Sequence, residues 1–182
     1  MKLTPLDISD VIVIEPEVFK DDRGFFFEAY NQEKFNKALG KEINFAQDNQ
    51  SFSKKGVLRG LHFQKPPFEQ AKLIRVLRGK IFDVCVDLRI KSKTFGNWFG
   101  LEIDDIERKQ LYIPSGFAHG FIVLSAEAEI IYKVNKPYNK ESEVILKYDD
   151  PKLGINWPMQ PLEISMKDMN AESFEKVYKF DC

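Results

Sequence analysis

The sequence predicts an all-β protein, a sandwich or barrel of the jelly-roll kind with short helical segments. Three observations predict it. Short apolar or alternating runs recur along the chain, separated by clusters of Gly, Pro, Asn and Asp. Phenylalanine is abundant, at 16 of 182 residues, and aromatic side chains favour strands over helices. No internal repeat, low-complexity stretch or interdomain linker interrupts the pattern, so one domain over residues 1–182 is expected, its tail from about residue 165 packing back on it. A jelly roll follows because it protects the sheet edges that so many short strands would otherwise expose.

Composition narrows the class further. With 43% hydrophobic and 30% charged residues, a packed core is expected and disorder is not. A net charge of -1 gives no general attraction to nucleic acid or to an anionic membrane. Any phosphate site must therefore be a local cluster of basic residues. No apolar run is long enough to span a bilayer, and the N-terminus lacks a signal-peptide pattern. Cys85, inside a strand pattern, reads as a small core residue, and Cys182 as an incidental exposed thiol. A cytoplasmic location is expected.

The elements follow in order. Val11 to Ile14 is an apolar strand ending at Glu15-Pro16. Asp21-Asp22-Arg23-Gly24 is a turn, and Phe25 to Tyr30 follows as a strand that sets Glu28 on the face of Phe26 and Tyr30. Asn31 caps a helix through Phe35 and Leu39, closed by Gly40. Phe45 to Phe52 is an amide-rich strand with Gln47 and Asn49 on one face, either a polar edge or a paired donor–acceptor surface. Val57 to Gln64 is the strand on which the chemistry turns. Strict alternation groups Leu58, Gly60, His62 and Gln64 on one face and Val57, Arg59, Leu61 and Phe63 on the other.

Ala71 to Arg78, a turn at Gly79-Lys80 and Ile81 to Leu88 read as a hairpin. Phe82, Val84, Val86 and Leu88 form an apolar face there, opposite Asp83, Cys85 and Asp87. Lys72 shares a face with Ile74 and Val76, so it either reaches inward at the strand end or is solvated. Further strands are expected over Trp98–Ile103, Leu111–Ile113, Ala128–Val134 and Val144–Lys147. Between them, Pro114 to Gly116 turns a corner that delivers His119 onto a new strand. Asp149 to Pro158 is a structured loop. Ser165 to Asp168 has capping-box spacing, which would make Asp168 structural.

The histidine count limits the chemistry. A jelly roll bearing histidines invites comparison with metal centres, which usually take three histidines and a carboxylate. This chain has two histidines, His62 and His119. A two-histidine, one-carboxylate site is the remaining metal option. Metal-free acid–base chemistry fits better. A neutral imidazole, with an ordinary pKa near ~6.5, is a general base, and a carboxylate on its far nitrogen would fix its tautomer. A lysine or arginine would stabilise an enolate, and a tyrosine on the opposite wall could return a proton to the other face. Together they would abstract a proton beside a carbonyl.

The segments Asp22-Arg23-Gly24-Phe25-Phe26-Phe27-Glu28, Gln47 to Ser51, Val57 to His62 and Ala71-Lys72-Leu73 resemble those of the dTDP-4-dehydrorhamnose 3,5-epimerase family. Ile113 to Phe121, Tyr132-Lys133 and Leu153 to Pro158 resemble it too, in the family's order over nearly the whole chain. The resemblance implies a cupin-type double-stranded β-helix (jelly roll) without metal or cofactor, usually a homodimer, acting on a dTDP-sugar. It implies His62 as base with Asp168 behind it, Tyr132 as acid and Lys72 as enolate stabiliser, with Asp83 the alternative partner of His62. Arg59 and His119 would line the sugar and diphosphate site. Arg23, Phe26, Glu28, Gln47, Asn49, Glu143 and Lys167 would complete the substrate pocket. The nearest rival is an epimerase acting at one carbon only, and a non-catalytic sugar-nucleotide-binding protein stands further off.

Overall fold

The computed structural model describes residues 2–8 and 10–182. In chain order the elements are β1 (Lys2–Pro5), β2 (Ile12–Glu15), β3 (Phe19–Asp21), β4 (Gly24–Phe26), α1 (Gln32–Leu39), β5 (Gln47–Lys54), β6 (Val57–Gln64), β7 (Lys72–Arg78), β8 (Lys80–Asp87), β9 (Trp98–Asp104), β10 (Gln110–Ile113), β11 (Phe117–Val123), β12 (Glu127–Val134), β13 (Glu143–Ile145), β14 (Glu163–Ile164) and α2 (Met166–Met169). One sheet runs β1-β2-β10-β7-β12-β5; the facing sheet runs β13-β6-β11-β8-β9, with β14 parallel to β6. β3 and β4 form a separate hairpin. This is the jelly roll expected, and none of the described helices is long and apolar enough to cross a membrane.

Helix α1 forms where its caps predict. The Asn31 side chain accepts from the Lys34 N–H, and Gly40 closes the helix in the left-handed conformation at φ 69°. Its one buried residue, Phe35, seats it against Tyr112 and Leu73 on the outside of the first sheet. The main core lies between the sheets, where Ile74, Val76, Leu111 and Ile130 meet Ile81, Cys85, Phe117 and Phe121. Each such side chain contributes about 1.5–3 kcal/mol when fully buried.

Three sequence readings are corrected. The stretch 71–88 is two strands but not a hairpin, because β7 pairs with β10 and β12 while β8 pairs with β11 and β9. Gly79, at φ 82°, swings the chain from one sheet to the other, and a Cβ there would lie 2.1 Å from the Glu127 carbonyl oxygen. Periodicity identifies a strand without naming its neighbour. Consequently both faces of β8 are buried. Val84, Val86 and Leu88 point away from the barrel, under Leu153, Val177 and Phe180 of the C-terminal segment, while Asp83 and Cys85 point into it.

The second correction concerns β6. On its neighbour β11, His119 opposes His62 and Phe121 opposes Arg59, so two steps on β11 span three on β6. This β-bulge inserts one residue at Gly60 and breaks the alternation. Arg59 therefore faces inward with His62 and Gln64, whereas Leu61 and Phe63 pack outward. The third is shorter. The strand expected over 25–30 stops at Phe26, and residues 27–31 are irregular.

Candidate active site

The barrel opens at one end into a cleft of about 380 Å³ whose lining includes Gln47, Asn49, Arg59, His62, Lys72, His119, Tyr132 and Glu143. Inward-facing positions of β5, β6, β7, β11, β12 and β13 supply them, so rigid sheet rather than loop fixes the geometry.

His62 is backed by α2. Its Nε2 lies 2.6 Å from Asp168 Oδ1, and Asp168 Oδ2 accepts from the Gly60 N–H at 3.4 Å. Asp168 is 3% exposed. Burial works against its charge, but the hydrogen bonds from His62, Gly60 and Ser165 prevail and hold its carboxyl below the ordinary value. Ser165 caps α2 by accepting from the Asp168 N–H at 3.1 Å, so the backbone of Asp168 serves the cap while its carboxylate serves His62. The capping reading alone was incomplete.

Asp83 does not back His62. Fully buried, it stands 2.9 and 3.0 Å from His119 Nε2 through its two oxygens. Burial pushes the His119 imidazole down, against the pull of Asp83. Lys72 is 6% exposed, and its Nζ donates to the His62 carbonyl at 3.1 Å. Burial lowers its ammonium to about 8, opposed by Asp83 and Glu143. Burial likewise raises the Tyr132 phenol, while Arg59 opposes the shift. Arg59 Nε donates to Ser53 Oγ at 2.9 Å, which orients its guanidinium along the cleft wall. Glu143 accepts from the Tyr138 hydroxyl at 2.8 Å and from Lys167, an exposed side chain that is not part of the cleft lining.

Three expected residues lie elsewhere. Arg23 is exposed and paired with Asp21, Phe26 is 71% exposed, and Glu28 pairs with Lys34 at 2.9 Å. All three sit on or just beyond the β3–β4 hairpin, away from the cleft of their own chain. Conversely, Gln64 and Tyr138 line the cleft although no site role was expected of them. Position on the His62 face was a usable signal for Gln64; Tyr138 follows Pro137 in a loop and offered none.

Among the described residues no group of three His, Cys, Asp or Glu side chains converges to hold a metal. A histidine with its carboxylate, a buried ammonium and a phenol are gathered around one cleft. Fold and cleft fit an isomerase. The chain belongs to the dTDP-4-dehydrorhamnose 3,5-epimerase family, whose model matches residues 5–176. The Pseudomonas aeruginosa dTDP-4-dehydrorhamnose 3,5-epimerase is 51% identical over 176 residues, covering 96% of each chain. The Shigella flexneri enzyme of the same name is 48% identical over 174 residues, also covering 96% of each. Among solved structures, the Legionella pneumophila dTDP-6-deoxy-D-glucose-3,5-epimerase in complex with dTDP-4-keto-L-rhamnose superposes with a TM-score of 0.95. It is 41% identical, and the match covers 100% of this chain and 98% of that one.

Proposed function

We propose that the protein inverts carbons 3 and 5 of dTDP-4-dehydro-6-deoxy-D-glucose to give dTDP-4-dehydro-L-rhamnose, working as a homodimer in the cytoplasm. The observation that carries this reading is the His62–Asp168 contact inside a cleft that also holds Lys72 and Tyr132. The carbonyl at carbon 4 acidifies the protons on both neighbours. His62 removes a proton, and Asp168 stabilises the imidazolium that forms. The electron pair moves onto the carbonyl oxygen, where the Lys72 ammonium stabilises the enolate by roughly 3–4 kcal/mol. Tyr132 returns a proton to the opposite face of the same carbon. Once the His62 imidazolium has given its proton to solvent and the Tyr132 phenolate has regained one, the cycle repeats at the other. Arg59 grips the diphosphate, with His119, Gln47, Asn49, Glu143 and Lys167 around the substrate.

Dimerisation accounts for the three distant residues. The β3–β4 hairpin exposes Phe19, Phe25 and Phe26 by 56%, 55% and 71%, a surface that favours association over solvation. In the homodimer it delivers Arg23, Phe26 and Glu28 to the partner's cleft. The test is incubation with the 4-keto sugar nucleotide in heavy water. Deuterium at carbons 3 and 5 with an L-configured product is expected; deuterium at one carbon alone would make the enzyme a single-position epimerase.

A further inference from the structure

Gln64 is 3% exposed, and its amide is directed entirely at two loops. Nε2 donates to the Phe68 carbonyl at 2.7 Å and to the Pro137 carbonyl at 3.2 Å, while Oε1 accepts from the Asn139 N–H at 2.7 Å. Both amide protons and a carbonyl lone pair are thus used. Buried polar groups are normally satisfied in this way, because an unpaired one is costly. What is particular here is which backbone groups are held. Pro137 and Asn139 flank Tyr138, whose ring is 54% exposed at the mouth of the cleft. The Tyr138 N–H itself donates to Gln47 Oε1 at 3.1 Å, and its hydroxyl donates to Glu143 at 2.8 Å. Tyr138 is therefore fixed before, at and after its own position, and at its ring tip.

We infer that Gln64 is a positioning residue of the cleft, an amide clamp that sets Tyr138 as a preformed wall at the mouth and ties it to the strand bearing His62. Gln64 lies two residues after His62 on β6 and faces the same way. One rigid strand thus registers the proton-moving floor of the cleft against the aromatic wall at its mouth. Further bonds zip the same two loops together. Gln70 Nε2 donates to the Lys136 carbonyl at 2.8 Å, Lys136 Nζ donates to the Pro67 carbonyl at 2.8 Å, and the Ala71 N–H donates to Asn135 Oδ1 at 2.7 Å. Gln64 differs from these in holding the backbone on both sides of Tyr138. A wall fixed in advance spares the substrate the ordering of that loop, so the benefit falls on binding more than on turnover.

This inference rests on the proposed epimerase reading and is tested with dTDP-4-dehydro-6-deoxy-D-glucose. Gln64→Glu keeps the side chain's shape but sets a carboxylate against two carbonyl oxygens. It is expected to raise KM by about ten-fold while kcat falls by less than about three-fold. In a Tyr138→Ala background the same change should add little to KM, because the wall it positions is already gone. A kcat loss with unchanged KM, or a full additional KM effect in the Tyr138→Ala background, would overturn the clamp. A second measurement needs no variant. The Asn139 amide of the unmodified protein should be protected from hydrogen exchange, and exchange at the rate of an open loop would refute the bond to Gln64. An unmodified protein that leaves this substrate unchanged would overturn the epimerase reading alone, and Asn139 exchange would still decide the clamp.

Discussion

Asp168 follows His62 by 106 residues, yet its Oδ1 stands 2.6 Å from the imidazole Nε2. Asp168→Asn would replace the acceptor with an amide that can donate to that nitrogen and so impose the wrong tautomer. Deuterium uptake should fall by about a hundred- to ten-thousand-fold. Stability should change with pH as well. Because the folded carboxyl titrates below its ordinary value of 3.8, its contribution is complete at neutral pH and is lost as pH falls through the lower native value. The acid limb of urea midpoint against pH should therefore flatten in Asp168→Asn. An unaltered acid limb together with normal exchange would leave the contact without function.

Tyr132→Phe keeps the aromatic packing and removes the proposed acid. Deprotonation by His62 should continue, so deuterium still enters the substrate. Net inversion at carbon 5 should drop by roughly a hundred- to ten-thousand-fold. Product configuration by NMR, read beside total deuterium, separates the two steps. Full inversion at both carbons by this variant would remove Tyr132 from the mechanism.

Lys72 should limit activity on the alkaline side. Its ammonium, lowered to about 8 by burial, loses its proton as pH rises through that value, and with it the charge that stabilises the enolate. kcat should decline above about pH 8. The stability sign is opposite. Between about 8 and the ordinary 10.5 the unfolded chain binds more protons than the folded one, so stability rises with pH across that window. Lys72→Met should accordingly be inactive and more stable by about 1–2 kcal/mol at neutral pH. A destabilised Lys72→Met would mean that its charge is better compensated by Asp83 and Glu143 than the burial implies.

Shared sites in a homodimer can be tested by complementation. Arg23→Ala and His62→Ala should each be nearly inactive alone. Mixed and allowed to exchange subunits, they should recover about a quarter of normal activity, since half the dimers are heterodimers with one intact cleft. No recovery in a verified mixed dimer would return Arg23 to its own chain's cleft or remove it from binding.

Local chemistry was the legible part of the sequence. The Asn31 and Gly40 caps act over three or four residues and fixed α1. Alternation correctly set Lys72 on the face of Ile74 and Val76, and the core confirms that face as inward. Long-range choices were not legible. Gly79 could close a hairpin or cross between sheets, and the decision lies in strands 30 or more residues away. Nor could local pattern choose between Asp83 and Asp168 for His62; β8 brings one to His119 and α2 brings the other to His62. Arg23 and Glu28 belong to a segment recognisable by motif, but a motif does not place a residue in space, and both lie away from the cleft of their own chain.

The bulge at Gly60 sets a condition on anyone redesigning this scaffold. Smoothing the bulge at constant chain length would restore regular alternation along β6 and would look, by idealised design criteria, like an improvement. It would also turn Arg59 outward while leaving His62 in place, separating the guanidinium from the imidazole by the thickness of the sheet. Filling the gap is equally barred. A Cβ at Gly60 would lie 2.6 Å from the Gly120 Cα, at a backbone φ of 128° that other residues avoid. The irregularity is what lets Arg59 and His62, three positions apart on one strand, line the same cleft, so a computational repair of the strand would yield a tidier barrel with no arginine from β6 in that cleft.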